Sequence, residues 1–180
     1  MSRAKPIKER NAYDFYATPK WCYENLDFPF HLFDKAHEPC RGDGRIVSFL
    51  EDKGVKVTST EIREGEDFFD WDDKTGLIFT NPPFSIAQEF IEHSLPRSKC
   101  VVMLLRINFL GSKKRYDFWQ KNKPDAIYVL SKRPSFTGKG TDATEYAWFV
   151  WQQEEFVKPG IYHVEPPVVQ RRSKKLLDKQ

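Results

Sequence analysis

Residues 100–105, Cys-Val-Val-Met-Leu-Leu, form an unbroken apolar run with no polar position to turn towards water. A strand of that kind needs cover on both faces, and sheets covered on both faces are built from parallel strands joined by crossover helices. The rest of the chain supplies such units. Residues 36–40 and 76–80 read as short strands, residues 55–61 as an alternating strand with an acidic last residue, and residues 126–130 and 146–151 as strands of β-branched and aromatic side chains. Residues 45–53 place Ile46, Phe49 and Leu50 at helical spacing, with Gly54 as the stop. Residues 85–94, capped by Ser85, and residues 116–121 read as further helices, and Thr18 with Pro19 reads as the start of a short helix over residues 19–26. The expected fold class is α/β and Rossmann-like: a mainly parallel twisted sheet, helices on both faces, and an antiparallel C-terminal strand.

A chain of 180 residues fits one domain. Residues 1–12 read as a flexible arm, residues 13–155 as a single domain with small recognition loops, and residues 156–180 as a basic tail, with little order expected after Gln152. No apolar run approaches the ~20 residues that cross a bilayer, and the polar N-terminus has no signal-peptide core. A cytoplasmic location without a membrane partner follows as the expectation. Cys22, Cys40 and Cys100 are odd in number and scattered, as reduced thiols are. His31, His37, His93 and His163 are equally dispersed, so structural roles are expected and no metal site. The net charge of +3 excludes little, but its distribution is informative. Lys113-Lys114-Arg115, Lys132-Arg133 and the group Arg171, Arg172, Lys174 and Lys175 read either as solvated surface or, beside nucleic-acid chemistry, as phosphate contacts.

That chemistry is suggested by Thr80-Asn81-Pro82-Pro83-Phe84, which follows a strand directly. The exocyclic amine of adenine is a weak nucleophile because its lone pair is delocalised into the ring. Two acceptors on its N–H groups would draw the nitrogen towards tetrahedral geometry and aim it at an electrophilic methyl group. The Asn81 side-chain oxygen and the Pro82 backbone carbonyl can be those acceptors. The prolines stiffen the corner that carries them, and Phe84 can stack on the base, a contact worth ~1–3 kcal/mol. A plain proline-stiffened turn would account for a lone Asn-Pro-Pro. Its place after a strand and downstream of the Arg41-Gly42-Asp43-Gly44 turn favours the chemical reading. Ligands on parallel sheets sit at the C-terminal ends of the strands, which gathers residues 40–44, Glu61, Asp67-Phe68 and the corner at residues 81–84 along one edge.

At that edge Gly42 and Gly44 let backbone approach a ligand closely. Glu61 is placed to accept from ribose hydroxyls; the alternative is a solvated strand-end acid. Asp67 can meet an adenine amino group with Phe68 packed beside it, although Phe68 reads equally well as core. Glu38 is either a contact for a cofactor amino group or a satisfied strand-end acid. Tyr16, Thr18 and Pro19 read equally as ligand contacts or as helix capping.

Here the sequence resembles a known family. Asn81-Pro82-Pro83-Phe84 matches the catalytic motif of amino-group methyltransferases, notably DNA adenine methyltransferases, and Glu38-Pro39-Cys40-Arg41-Gly42-Asp43-Gly44 resembles their cofactor turn, with Cys40 where the family has an aromatic residue. Tyr16-Ala17-Thr18-Pro19 is similar to their N-terminal cofactor motif, and the order of the three motifs is kept. The small phage-type DNA N6-adenine methyltransferases are the nearest in character, through FYATPKWCYENL and SKRPSFTGKGTDATEYAWFVW, over about residues 13–151. The resemblance implies a class I methyltransferase fold and S-adenosylmethionine as cofactor, bound by Tyr16, Thr18, Pro19, Glu38, Cys40, Gly42, Gly44, Glu61, Asp67 and Phe68. It implies Asn81, Pro82 and Phe84 as the catalytic group, and site-specific methylation of DNA, with restriction-modification as a context.

An adenine inside a duplex has to be swung out to reach such a corner, at a few kcal/mol. Candidate DNA contacts are Arg106, Asn108, Lys113, Lys114 and Arg115 in one segment and Arg133, Phe136 and Lys139 in another, with Phe136 as a wedge; a solvated loop is the alternative. DNA is the expected partner, and the expected state is a monomer or weak dimer. Two rivals stand: a methyltransferase of RNA adenine or of a protein glutamine amide, and a non-catalytic DNA-binding protein on the same fold.

Overall fold

The computed structural model describes residues 17–138 and 140–166. Tyr16, Lys139, the arm at residues 1–12 and the basic group Arg171, Arg172, Lys174 and Lys175 lie outside the described residues. Among the described residues seven strands form one sheet: β1 (Lys35–Glu38), β2 (Lys56–Ser59), β3 (Thr75–Thr80), β4 (Ser98–Arg106), β5 (Ala126–Leu130), β6 (Tyr146–Gln152) and β7 (Gly160–Val164). Their spatial order is β2-β1-β3-β4-β6-β5-β7. β6 runs antiparallel to both its neighbours and the other pairings are parallel. The mainly parallel sheet with one antiparallel strand in the C-terminal part of the chain is thus as the sequence implied.

The two faces of the sheet make two cores. Leu77, Phe79, Cys100, Val102, Leu104, Tyr146, Trp148 and Val150 point to one; Ile78, Val101, Met103, Leu105, Ala147, Phe149 and Trp151 point to the other. The helices α1 (Trp21–Glu24) and α2 (Arg45–Asp52) cover the first face through Cys22, Tyr23, Ile46, Phe49 and Leu50. The helices α3 (Ala87–Ser94) and α4 (Tyr116–Lys121) cover the second through Phe90, Ile91, Phe118 and Trp119. Right-handed crossovers require this division, because β2 and β3 leave β1 on opposite sides. The strand order therefore reverses between β1 and β3, and sheets of this kind take their ligands in the crevice at the C-terminal ends of such a pair. Phe79 anchors the first core by stacking on Trp148 at 4.3 Å, and the Trp148 indole N–H donates to the Cys22 carbonyl at 2.7 Å. Truncating such a ring to alanine costs about 3–5 kcal/mol.

Three local expectations need correction. Lys20, not Thr18, occupies the N-cap position of α1, and it makes no side-chain cap bond; Thr18 is engaged across the sheet instead. Ser85 does not cap α3, because Phe84–Ile86 form a 3₁₀ turn and the helix begins at Ala87. Order does not stop after Gln152: β7 adds an edge strand parallel to β5, with Val164 buried and Tyr162 stacked on Tyr128 at 4.8 Å. Only one face of an edge strand meets the core, so its apolar signal is thin. His37 fits its expected structural role, with ring nitrogens at 2.8 and 3.3 Å from the Thr58 and Thr60 hydroxyls and its ring stacked on Trp71 at 4.0 Å. No helix among the described residues is long and apolar enough to cross a membrane.

Candidate active site

The crevice collects the ends of β1, β2 and β3. After β1 the chain turns through Gly42 (φ 56°) and Gly44 (φ 80°), and Gly44 caps α2 in the left-handed region. A Cβ at Gly44 would meet nothing within 4 Å, so the backbone conformation, not crowding, calls for glycine there. Glu61, 5% exposed, braces this turn from the end of β2. Its Oε2 accepts from the Gly42 N–H at 2.8 Å, and its Oε1 accepts from the Arg63 backbone N–H at 3.0 Å and the Arg63 Nε at 2.9 Å. Desolvation acts to raise its pKa, but the Arg63 and Gly42 bonds prevail and hold it below the ordinary carboxylate value.

Glu38 closes β1 with no exposed surface. Its Oε1 accepts from the Cys40 N–H at 2.8 Å and from the Thr80 hydroxyl. Its Oε2 is buried and meets no partner among the described residues. Burial pushes this carboxyl up to about 8, against the Thr80 and Cys40 bonds that favour its charge. Burial, with Glu38 beside it, also pushes the Cys40 thiol up. A buried acceptor oxygen at a glycine turn fits a cationic ammonium, whose charge would offset the desolvation. On this ground the turn fits an amino-acid-bearing nucleoside such as S-adenosylmethionine.

The β3 corner stands across from Glu38. Asn81 Nδ2 donates to Thr18 Oγ1 at 3.0 Å, while Asn81 Oδ1 is buried and meets no partner among the described residues. The Pro83 carbonyl accepts from Ile86 N–H at 3.2 Å; the Pro82 carbonyl accepts no backbone hydrogen bond among the described residues. Thr18 is 3% exposed, and its carbonyl accepts from Arg45 of α2 at 3.4 Å. The segment before α1 therefore links the glycine turn's helix to the corner.

Phe84 is half-buried in an aromatic group with Tyr146 (centroids 5.4 Å apart) and Phe136 (6.3 Å), and the Arg106 guanidinium lies 4.9 Å from its ring centroid. Arg106 Nε donates to the Tyr146 hydroxyl at 3.0 Å, and that hydroxyl donates to Asp142 at 2.6 Å. Asp142 also lies 3.7 Å from Arg106 Nη2.

Of the residues singled out in the sequence, Thr18, Glu38, Cys40, Gly42, Gly44, Glu61, Asn81, Pro82, Phe84 and Arg106 converge here. Pro19 starts the first turn, its carbonyl accepting from Cys22 N–H at 2.9 Å. Phe68 does not join them: it is 2% exposed, in the second core beside His37, Trp71 and Phe90. Asp67 caps the turn beneath it by accepting from Phe69 N–H at 3.0 Å. Phe136 does not project as a wedge; its half-buried ring packs edge-on against Tyr146 at 5.1 Å. Asn108, Lys113 and Lys114 are exposed in 3₁₀ turns beyond β4, Arg115 lies over the Phe109 ring at 4.3 Å, and Arg133 pairs with Glu145 at 2.8 Å. Asp142 and Tyr146 went unflagged in the sequence. Tyr146 lies 40 residues from Arg106, and no local spacing announces that contact.

No family model matches the chain. A DNA N-6-adenine-methyltransferase of Haemophilus phage HP1 (strain HP1c1) is 26% identical to it over 138 residues, covering 72% of each chain. Among solved structures, a protein assigned as a class I S-adenosylmethionine-dependent methyltransferase from Listeria monocytogenes superimposes with a TM-score of 0.50 at 14% identity, over 72% of this chain and 58% of that one. A protein assigned as a modification subunit of a type I restriction enzyme from Vibrio vulnificus YJ016 gives 0.51 at 13% identity, over 88% of this chain and 49% of that one. The chain thus spans about half the length of that subunit. The fold is the Rossmann-like class I methyltransferase fold, and the likeness to phage-type DNA adenine methyltransferases read from the motifs is borne out by the phage relative.

Proposed function

We propose that the chain is a DNA adenine-N6 methyltransferase, using S-adenosylmethionine and acting site-specifically on an adenine swung out of the duplex. One observation carries the reading: the Asn81 carboxamide is pinned at its nitrogen end by Thr18, with its oxygen buried and without a partner among the described residues. The phage relative supports DNA as substrate.

S-adenosylmethionine, when bound, supplies an electrophilic methyl group carried on a sulfonium. Glu38 would hold its ammonium, Cys40, Gly42 and Gly44 would pass along it, and Glu61 and Asp67 would face the nucleoside end. The chain's own residues then act on the amine. Asn81 Oδ1 and the Pro82 carbonyl accept its two N–H groups, which localises the lone pair and stabilises the positive charge developing on nitrogen. Phe84 stacks on the base, and the prolines fix the orientation in advance. Phosphates flanking the base would be met by Arg106, Asn108, Lys113, Lys114, Arg115 and Arg133, and Phe136 would support the stack from behind.

The test is transfer of label from S-adenosylmethionine to duplex DNA, RNA and a protein extract in parallel, with the modified adenines mapped after expression in a methylation-free host. Label in DNA at N6 of adenine within one short sequence is expected. Label confined to RNA or protein would overturn the substrate, and cofactor binding without any transfer would overturn the enzyme.

A further inference from the structure

The sequence motif places Thr18 either with the cofactor or at a helix cap, but its hydroxyl serves a different partner. It lies 3.0 Å from Asn81 Nδ2, across 63 positions of chain. We propose that Thr18 is a positioning residue that pins the Asn81 carboxamide with its oxygen towards the substrate; this rests on the methyltransferase reading of the corner.

A carboxamide turned over about its last side-chain bond exchanges O for NH₂ with little change of shape. Only one of the two orientations suits the reaction. An NH₂ aimed at an amine would set donors against donors. The site has two places for the ends of the group: one beside the Thr18 hydroxyl and one buried with no partner among the described residues. An NH₂ in the second place would bury two unpaired donors. An oxygen there leaves only lone pairs, the less severe deficit. The Thr18 hydroxyl could pair with either end, so the second place chooses the orientation, and Thr18, accepting from the NH₂, pins the group with its oxygen there, where the substrate amine would fill it.

Thr18 is itself held. It is 3% exposed, and its carbonyl accepts from Arg45, whose Nε donates to Asp43 Oδ2 at 2.8 Å within the glycine turn. The turn that receives the cofactor and the amide that receives the base are therefore joined through one residue. Thr18 acts through Asn81 and touches no reacting atom.

The comparison is Thr18→Val, near in shape but without an acceptor, against Thr18→Ser, which keeps the hydroxyl. Valine should lower kcat about tenfold, the loss of one hydrogen bond to a catalytic group. Cofactor affinity by calorimetry should stay within about twofold, and serine should restore most of the turnover. Independently of turnover, the Asn81 side-chain amide signals, assigned by their loss in Asn81→Asp, should be protected from exchange in the wild type and in Thr18→Ser but not in Thr18→Val. If valine prevents folding, Thr18→Ala makes the same comparison. Wild-type kcat in Thr18→Val, or unchanged amide protection, would overturn the proposal. Weakened cofactor binding at unchanged kcat would return Thr18 to the cofactor. Protected amide signals in a wild type that methylates no DNA would leave the clamp standing and refute the function.

Discussion

The two halves of the crevice are built on opposite plans. Beneath β1 and β3 the scaffold holds acceptors open: Glu38 Oε2 and Asn81 Oδ1 are buried without partners among the described residues. Beyond β4 and β6 three arginines are already engaged, Arg106 with Phe84, Tyr146 and Asp142, Arg133 with Glu145, and Arg115 with Phe109. The first half can receive a ligand without rearranging, because its groups are oriented in advance. The second has to exchange partners. For Arg133 that exchange is cheap, since an exposed ion pair is worth only ~0.2–1 kcal/mol. A pre-set corner beside an adaptable cationic lip is the arrangement that the proposed reaction on DNA calls for.

Substitutions can break or sharpen this contrast. The largest effect is expected at Asn81. Asn81→Ala should lower kcat by about 10²–10³, the scale of a lost oxyanion-hole donor, with cofactor affinity near wild type in calorimetry. Substantial turnover in that variant would remove the corner from the chemistry. Next is Glu61→Ala, which removes the carboxylate that the Gly42 N–H and the Arg63 Nε both donate to. It should weaken cofactor binding about tenfold or more and leave DNA affinity unchanged in a gel-shift titration. A shift in DNA affinity instead would blur the division between the halves.

Arg106→Ala should act on the other half alone. DNA affinity should fall by a few-fold to about tenfold, and the slope of log affinity against log salt should shrink by about one, as for one lost phosphate contact. An unchanged slope would mean that Arg106 serves Phe84 only.

The smallest effect is a pH slope in stability. Burial lifts Glu38 from 4.5 to about 8, so the folded state binds its proton more tightly than the unfolded state. The stability this confers is complete below about 4.5 and is lost as pH rises to about 8. His37 behaves oppositely: burial lowers it from 6.5 to about 4, and its contribution is lost as pH falls through that range. Between about 6.5 and 8, Glu38 is therefore the one of the pair that titrates. Denaturant midpoints of the protein without cofactor should decline across this interval and flatten in Glu38→Gln. A slope that survives in Glu38→Gln would assign it to another group.

The elements that pack on both faces were legible in the chain. Residues 100–105, 116–121 and 126–130 carry their periodicity in their own side chains, and burial demanded little else of them. The glycine turn and the Asn81 corner were legible because backbone conformation and proline stiffness are local properties. β7 was not, because one side of an edge strand carries the whole signal. Phe68 showed the limit from the other direction, since an aromatic beside an acid reads alike whether the ring faces a ligand or a core. Thr18 and Asn81 were each recognised as parts of motifs, while their pairing was not.

Local chemistry by itself determined the covered sheet, the position of the glycine turn and the identity of the acceptors at the end of β3. Those depend on residue type and short spacing, which a chain states directly. Tertiary structure alone decided which polar atoms were left without partners, that Thr18 holds Asn81, and that Tyr146 and Asp142 hold Arg106. Each of these joins segments brought together only by the crossovers of the sheet, and hydrogen-bond satisfaction is a property of the assembled neighbourhood, not of any one residue.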